Sequence, residues 1–289
     1  MEHSVQLGTQ RYHDLLTQQL QDLQKQEAIP LHINEIYQGN RWLIECQFSL
    51  VSERISTNQE PTVKKIFQYY LANAVADTIL SSWEKEYIHR RLRQKYKFKL
   101  NECNTVIEKV FERLKERENS GYKISRKKGL VNQILVCLEN NAVFDIEGFL
   151  RFRGREYKTI INKVVDYAVD EYNLEQEYVE FIELLKSFVD MQNPRLETLH
   201  VVIAKGRFKL YDDMGKSVTE EYLTDYQTYD QLQDFAYDDL LISALIAVSP
   251  RHIVIHIKSA GAETALQSIR QVFADRVSFC TGCHLCDEE

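Results

Sequence analysis

Three cysteines stand near the end of the sequence, Cys280, Cys283 and Cys286, in the run CTGCHLC. Cysteines three apart place their thiolates on one side of a tight turn, the spacing used to grip zinc or an iron–sulfur cluster through sulfur. A closed site needs a fourth ligand. His284 adjoins Cys283 and is poorly placed to bind beside it, so the fourth would come from His256, His200, another cysteine or a second protomer. Two other readings stay open: a reduced, partly exposed tail that binds nothing, and a redox pair of Cys280 with Cys283. The redox pair lacks the strand-then-helix setting of thioredoxin-type motifs.

A second chemistry is suggested by YIHRRLRQKYKFK, 87–99, where Arg90, Arg91, Arg93, Lys95, Lys97 and Lys99 stand without an acid and Tyr87, Tyr96 and Phe98 interleave. Cations can neutralise phosphates while rings stack on bases, which would make this a nucleic-acid surface. The same cations also suit the carboxyl end of a helix. They can pair there with the acids of 166–183 or of 212–239, which leaves a protein-contact surface as the other reading. Arg151 and Arg155, four apart, would clamp an anion or a partner if they share a helix, or pair locally with Glu147 and Glu156. His252 and His256 point the same way on a strand but lie ~13 Å apart, so they read as two independent histidines on a strand rim.

No P-loop, dinucleotide fingerprint, nucleophile elbow or H-E-x-x-H helix occurs. Adjacent carboxylates such as Asp212-Asp213 and Asp238-Asp239 diverge rather than face each other as an acid–base dyad does. Nothing in the sequence points to catalysis.

The elements that position these residues read as an α+β chain. The stretch 144–190 organises it, with apolar residues three and four apart from Ile161 through Val165, Ala168 and Tyr172 to Val179, Ile182 and Val189. Neighbours such as Ile160, Val164, Val169, Phe181 and Leu185 widen the stripe, which predicts helices covered on more than one side. Before it, residues 1–55 predict a small β-α-β-β unit, with strict alternation from Trp42 to Leu50. Residues 56–193 predict a helical domain: a long helix from Thr62 to about Tyr96, a second over 101–117, a third over LVNQILVCLEN, then the central segment. Residues 194–289 predict a β-β-β-α-β-α-β domain, with a third short strand at KSVT, a helix over 229–248 and a strand at RHIVIHI.

At 289 residues the chain can bury substantial cores, and its 44% hydrophobic and 27% charged shares are those of a soluble globular protein. A net charge of -7 argues against whole-molecule attraction to nucleic acid or anionic lipid, leaving only local patches. The first residues lack a secretory pattern, no apolar run approaches a membrane span, and six cysteines do not form an extracellular framework; a reducing cytoplasm is expected.

DIEGFLRFRGREYKTIINKVVDYAVDEYNLEQEYVEFIELLKSFVDMQ, then LETLHVVIAKGRFKLYDDMG and YDDLLISALIAVSPRHIVIHI, resemble the YtxC-like sporulation proteins of endospore-forming bacteria. The resemblance runs from about Asp145 onward and extends through the Pro61 to Lys95 helix, without the first 50 residues. It implies a cytoplasmic protein associated with spore formation and brings no catalytic residues. The expectation is an interaction or scaffold protein with a protein partner. The alternatives are a nucleic-acid binder using 87–99 and a metal-binding protein using the cysteines.

Overall fold

The computed structural model describes residues 2–26, 31–49, 60–119, 125–204, 207–223, 237–258 and 263–287. Two compact units divide the chain, 1–172 and 173–289.

The first unit begins with β1 (Glu2–Thr9), α1 (His13–Gln26), β2 (Leu31–Gln38) and β3 (Arg41–Ser49). Gly39 and Asn40 both take positive φ, 57° and 69°, the backbone that a two-residue hairpin turn between β2 and β3 requires. Next come α2 (Glu60–Thr78), a π-helical turn (Ile79–Trp83), α3 (Glu84–Arg91) and a second π-helical turn (Leu92–Tyr96). The chain continues through α4 (Leu100–Asn119), α5 (Arg126–Asn140), β4 (Val143–Asp145), α6 (Ile146–Phe152) and the start of α7 (Arg155–Met191).

The sheet order is β2-β3-β1-β4, antiparallel except for β1 with β4. Leu7, Ile44 and Cys46 of the sheet join Leu16 and Leu20 of α1, Val75 and Ile79, Val110 of α4, Ile134 of α5 and Ile161 and Val165 of α7 in one buried cluster. The small β-α-β-β unit therefore shares its core with the helices, as so few strands require. The helical middle has one exception: β4 is a three-residue strand, too short to leave a periodic signal. It pairs parallel with Gln6–Gly8 of β1, and Asp145 then caps α6 by accepting from Gly148 N–H at 2.6 Å.

The second unit takes the rest of α7, then β5 (Thr198–Ala204), β6 (Arg207–Tyr211), α8 (Thr219–Leu223), α9 (Tyr237–Val248), β7 (His252–Ile257), α10 (Glu263–Phe273), β8 (Val277–Phe279) and α11 (His284–Asp287). Its sheet runs β6-β5-β7-β8, with β5, β7 and β8 parallel. Leu199, Val201, Ile203, Ile253 and Ile255 meet Val189 of α7, Leu241 and Leu245 of α9, and Ile269 and Phe273 of α10 in a second core.

One expectation changes here. The third strand at KSVT is only a single bridge, Tyr211 with Ser217. Thr219 Oγ1 accepts from Leu210 N–H at 2.8 Å and turns the chain into α8 instead. The later part of the helix expected over 229–248 is α9, and 229–236 lie outside the described residues. The apolar stripe of α7 is also covered less evenly than its pattern suggests. Ile161, Val164, Val165, Ala168 and Val169 are buried, whereas Val179 and Phe181 are exposed.

Candidate metal centre

Strand alternation sorts the second sheet into two faces. On β7, Ile253 and Ile255 enter the apolar core, which sends Val254 and His256 to the opposite side; on β5, Leu199, Val201 and Ile203 do the same for His200 and Val202. The register sets Val202 against His256, making His200 its diagonal neighbour. The last described segment returns to β7. Cys280 N–H donates to Ile255 C=O at 2.9 Å, and α11 packs against β7 with Leu285 buried.

Between those anchors the chain turns at Gly282, φ 135°, a conformation that side chains other than hydrogen rarely adopt. Gly282 N–H donates to Cys280 Sγ at 3.3 Å, and Cys286 N–H donates to Cys283 C=O at 2.8 Å. These bonds gather the three thiols beside His256, which is 1% exposed.

One donor atom from each of His256, Cys280, Cys283 and Cys286 lies within 4.8 Å of the other three. His256 Nδ1 is 3.3 Å from Cys286 Sγ and 3.5 Å from Cys283 Sγ; Cys286 Sγ is 3.8 Å from Cys280 Sγ. A tetrahedral zinc site with Zn–S about 2.3 Å and Zn–N about 2.05 Å has ligand edges of ~3.8 Å between sulfurs and ~3.6 Å from sulfur to nitrogen. These three edges are close to that tetrahedron, and the other three are no longer than 4.8 Å. They are also far from the roughly 2.05 Å of a disulfide. A multi-iron cluster puts its ligating sulfurs on different metal atoms and so farther apart, so the set fits one ion. The chemistry it offers is that of a closed Cys3His site, with no position left for substrate.

The electrostatics favour the ligating form at Cys283 and His256 and oppose it at Cys280. Burial opposes ionisation of Cys283, but hydrogen bonds from the Cys280 thiol, the N–H groups of Leu285 and Cys286, and the Cys286 thiol hold its thiol below the usual range. Cys280 is raised: a hydrogen bond from Gly282 N–H favours its thiolate, but burial and the neighbouring thiols outweigh it. Burial, then the neighbouring His200 and His284, lowers His256, and burial followed by His284 lowers His200. Neutral imidazole is the form that binds a metal. With Nδ1 facing the thiols, His256 has Nε2 3.0 Å from His200 Nδ1. His256 Nε2–H then donates to His200, the kind of outer contact that fixes a ligand's tautomer and ring angle.

His256 is therefore not the independent rim histidine that its spacing from His252 suggests; His252 is exposed and outside the site. His284 is not among the four converging donors. Cys46, Cys103 and Cys137 are buried in the core of the first unit.

The basic segment divides by face. Arg91 Nη2 and Lys95 Nζ reach Asp166 Oδ1 at 2.8 and 3.3 Å, and Tyr96 OH donates to the same oxygen. Tyr87 donates to Asn162 and stacks on Trp83, and Phe98 packs edge-on to Tyr172. The rings expected to stack on bases are thus turned inward. Arg90, Arg93 and Lys97 face an open groove instead, and Lys99 is exposed with its N–H bonded to Glu102.

Arg151 and Arg155 are exposed and do not share a helix. Arg151 lies near the end of α6 and Arg155 begins α7, because the chain breaks at Gly154, where a Cβ would meet Leu150 C=O at 2.9 Å. Their expected local partners are engaged elsewhere. Glu147 accepts from Thr9 Oγ1 and the N–H groups of Gln10 and Arg11, and Glu156 accepts from Gln133.

A largely buried ionic cluster in the first unit joins Glu84, 1% exposed, with Arg126 and Glu118. Burial raises Glu84, while Arg126 opposes the shift. The neighbouring cavity of about 250 Å³ is bordered by Leu114, Leu130, Tyr157 and Ile160, and its Arg126 is already spent on two carboxylates. This is a structural ion network.

Among the described residues no helix is long and apolar enough to cross a membrane. The model of the YtxC-like family matches residues 69–278, which include His200 and His256 and stop short of Cys280. A curated relative, "Uncharacterized protein YtxC" of Bacillus subtilis (strain 168), is 30% identical over 163 residues, 54% of each chain. The chain thus spans about half the length of that relative. No solved structure matches. With the family match covering most of the sequence, the chain belongs to the YtxC-like family.

Proposed function

We propose that this is a non-catalytic interaction protein whose second unit is held together by one zinc ion bound through Cys280, Cys283, Cys286 and His256. The observation that carries this reading is the convergence of four soft and borderline donors within 4.8 Å. A four-ligand set leaves zinc no open position, so its contribution is to folding and not to chemistry. Here it ties the 280–287 segment to β7. A cytoplasmic setting in spore-forming cells belongs to the same proposal, supported by free thiols and by the family resemblance. Elemental analysis of anaerobically purified protein tests the metal: about one zinc per chain is expected, and less than a tenth of an equivalent of zinc ends the idea.

A protein partner is supported by α7, where Leu174, Phe181, Leu184 and Met191 are exposed large apolar residues over less than five turns. Glu175, Glu177, Glu180 and Glu183 flank them. Such a stripe suits a partner that is apolar at its centre and basic at its edges. Recovery of a stoichiometric partner from sporulating cells, lost with Phe181→Asp plus Leu184→Asp, supports this; recovery unchanged by the pair counts against it.

A further inference from the structure

A second site lies in the first unit, where α3, its two flanking π-helical turns and α4 border a solvent-open groove of about 820 Å³. Lys85, His89, Arg90, Arg93 and Lys97 line it. The contrast with the other face of the same helix is the informative point. Arg91 and Lys95 are neutralised by Asp166, whereas none of the groove cations makes an ion pair among the described residues. The groove's one carboxylate, Glu86, is turned to Tyr12 OH at 3.2 Å and Arg11 at 3.7 Å. In a chain of net charge -7, four permanent cations left unpaired in one concavity favour an anion there.

The backbone assists. Ser81 and Ser82 sit on the first π-helical turn and Arg93 and Gln94 on the second, and such turns are frequent at functional sites. Lys97 ends the helix at φ 62°. Ser82, Gln94 and Asn104 add neutral hydrogen-bonding groups with no partner among the described residues.

We infer that this groove binds the linked phosphates of a small phosphorylated ligand, either an inorganic oligophosphate or the phosphate chain of a nucleotide. Its volume is that of a small-molecule site. Arginines at 90 and 93 offer forked donors to phosphate oxygens, with lysines at 85 and 97 as point charges. A nucleic-acid strand fits less well, because Tyr87, Tyr96 and Phe98 are half-buried and already packed on other rings of the protein.

The test is calorimetric titration of the full chain with tripolyphosphate, a nucleoside triphosphate, and a single-stranded oligonucleotide. Expected is one tripolyphosphate per chain, with affinity falling about tenfold or more in Arg90→Gln plus Arg93→Gln and holding in Lys99→Gln. Affinity should also fall with salt at a log–log slope of several. A nucleoside triphosphate that binds tighter than tripolyphosphate adds base or sugar recognition; equal binding limits recognition to phosphates, and either supports the site. No binding of tripolyphosphate at low salt, indifference to the double substitution in a variant with an unchanged circular dichroism spectrum, or tighter binding of the oligonucleotide would overturn the assignment.

Discussion

His200 Nδ1 lies 3.0 Å from His256 Nε2, across the parallel pair β5 and β7, while the other nitrogen of His256 faces Cys286 Sγ at 3.3 Å. One imidazole thus bridges a thiol cluster and a second histidine. Under the proposed zinc site the roles would divide: His256 would bind through Nδ1, and His200 would accept the remaining proton and position the ring.

That division predicts a graded outcome for His200→Ala. Zinc should still bind at one per chain, because no ligand is lost, but with affinity reduced about 10- to 100-fold. Competition against a chromophoric chelator reads this directly. His256→Ala, which removes a ligand, should lose far more, and equal losses for the two would show that His200 ligates too.

Gly282 should tolerate no side chain without cost. At φ 135°, alanine is strained by about 1–3 kcal/mol, although nothing within 4 Å would touch its Cβ. Gly282→Ala should therefore weaken zinc retention through backbone conformation alone. A variant that keeps wild-type affinity in the same chelator competition would show that the turn is not needed for ligation.

Asp166 predicts a pH-dependent contribution to the first unit. Burial raises its carboxyl, but hydrogen bonds from Tyr96 and Arg91, the Arg91 charge and Lys95 overcome this and hold it below the usual range. With its folded pKa depressed, the stabilisation is full above the unfolded value of about 3.9 and is lost as pH falls through the folded one. Urea unfolding should find Asp166→Asn less stable than wild type at pH 7, by roughly 1–2 kcal/mol for a half-exposed carboxylate with three donors. The gap should narrow below about pH 4. A gap that does not change with pH would mean that the carboxylate's charge contributes nothing and that the loss comes from the altered hydrogen bonding of the amide.

Much of this arrangement is legible in the sequence. CTGCHLC announced the thiols by spacing, the alternation from Trp42 to Leu50 announced β3, and the long helices kept their 3.6-residue pattern. The fourth donor leaves no such signal, because His256 is set apart from His200 only by the register of β5 against β7 and the return of 280–287 to the sheet. Neither is local in sequence. Its distance from His252 along the strand makes His256 look peripheral, because its partners come from another strand and a turn. In the basic segment, charge alone could not separate Arg91 and Lys95, spent on Asp166, from Arg90, Arg93 and Lys97, which are not. A helix shows that division only once its neighbours are placed, and two π-helical turns shift the faces further. β4 left no signal, being three residues long.

X-ray absorption at the zinc edge on the reconstituted full chain tests the central claim most directly. The account predicts one zinc per chain with three sulfurs at about 2.3 Å and one nitrogen at about 2.0 Å. The nitrogen shell should vanish in His256→Ala, and His284→Ala should leave the spectrum unchanged. A spectrum with only oxygen and nitrogen neighbours, or one indifferent to His256, would contradict it.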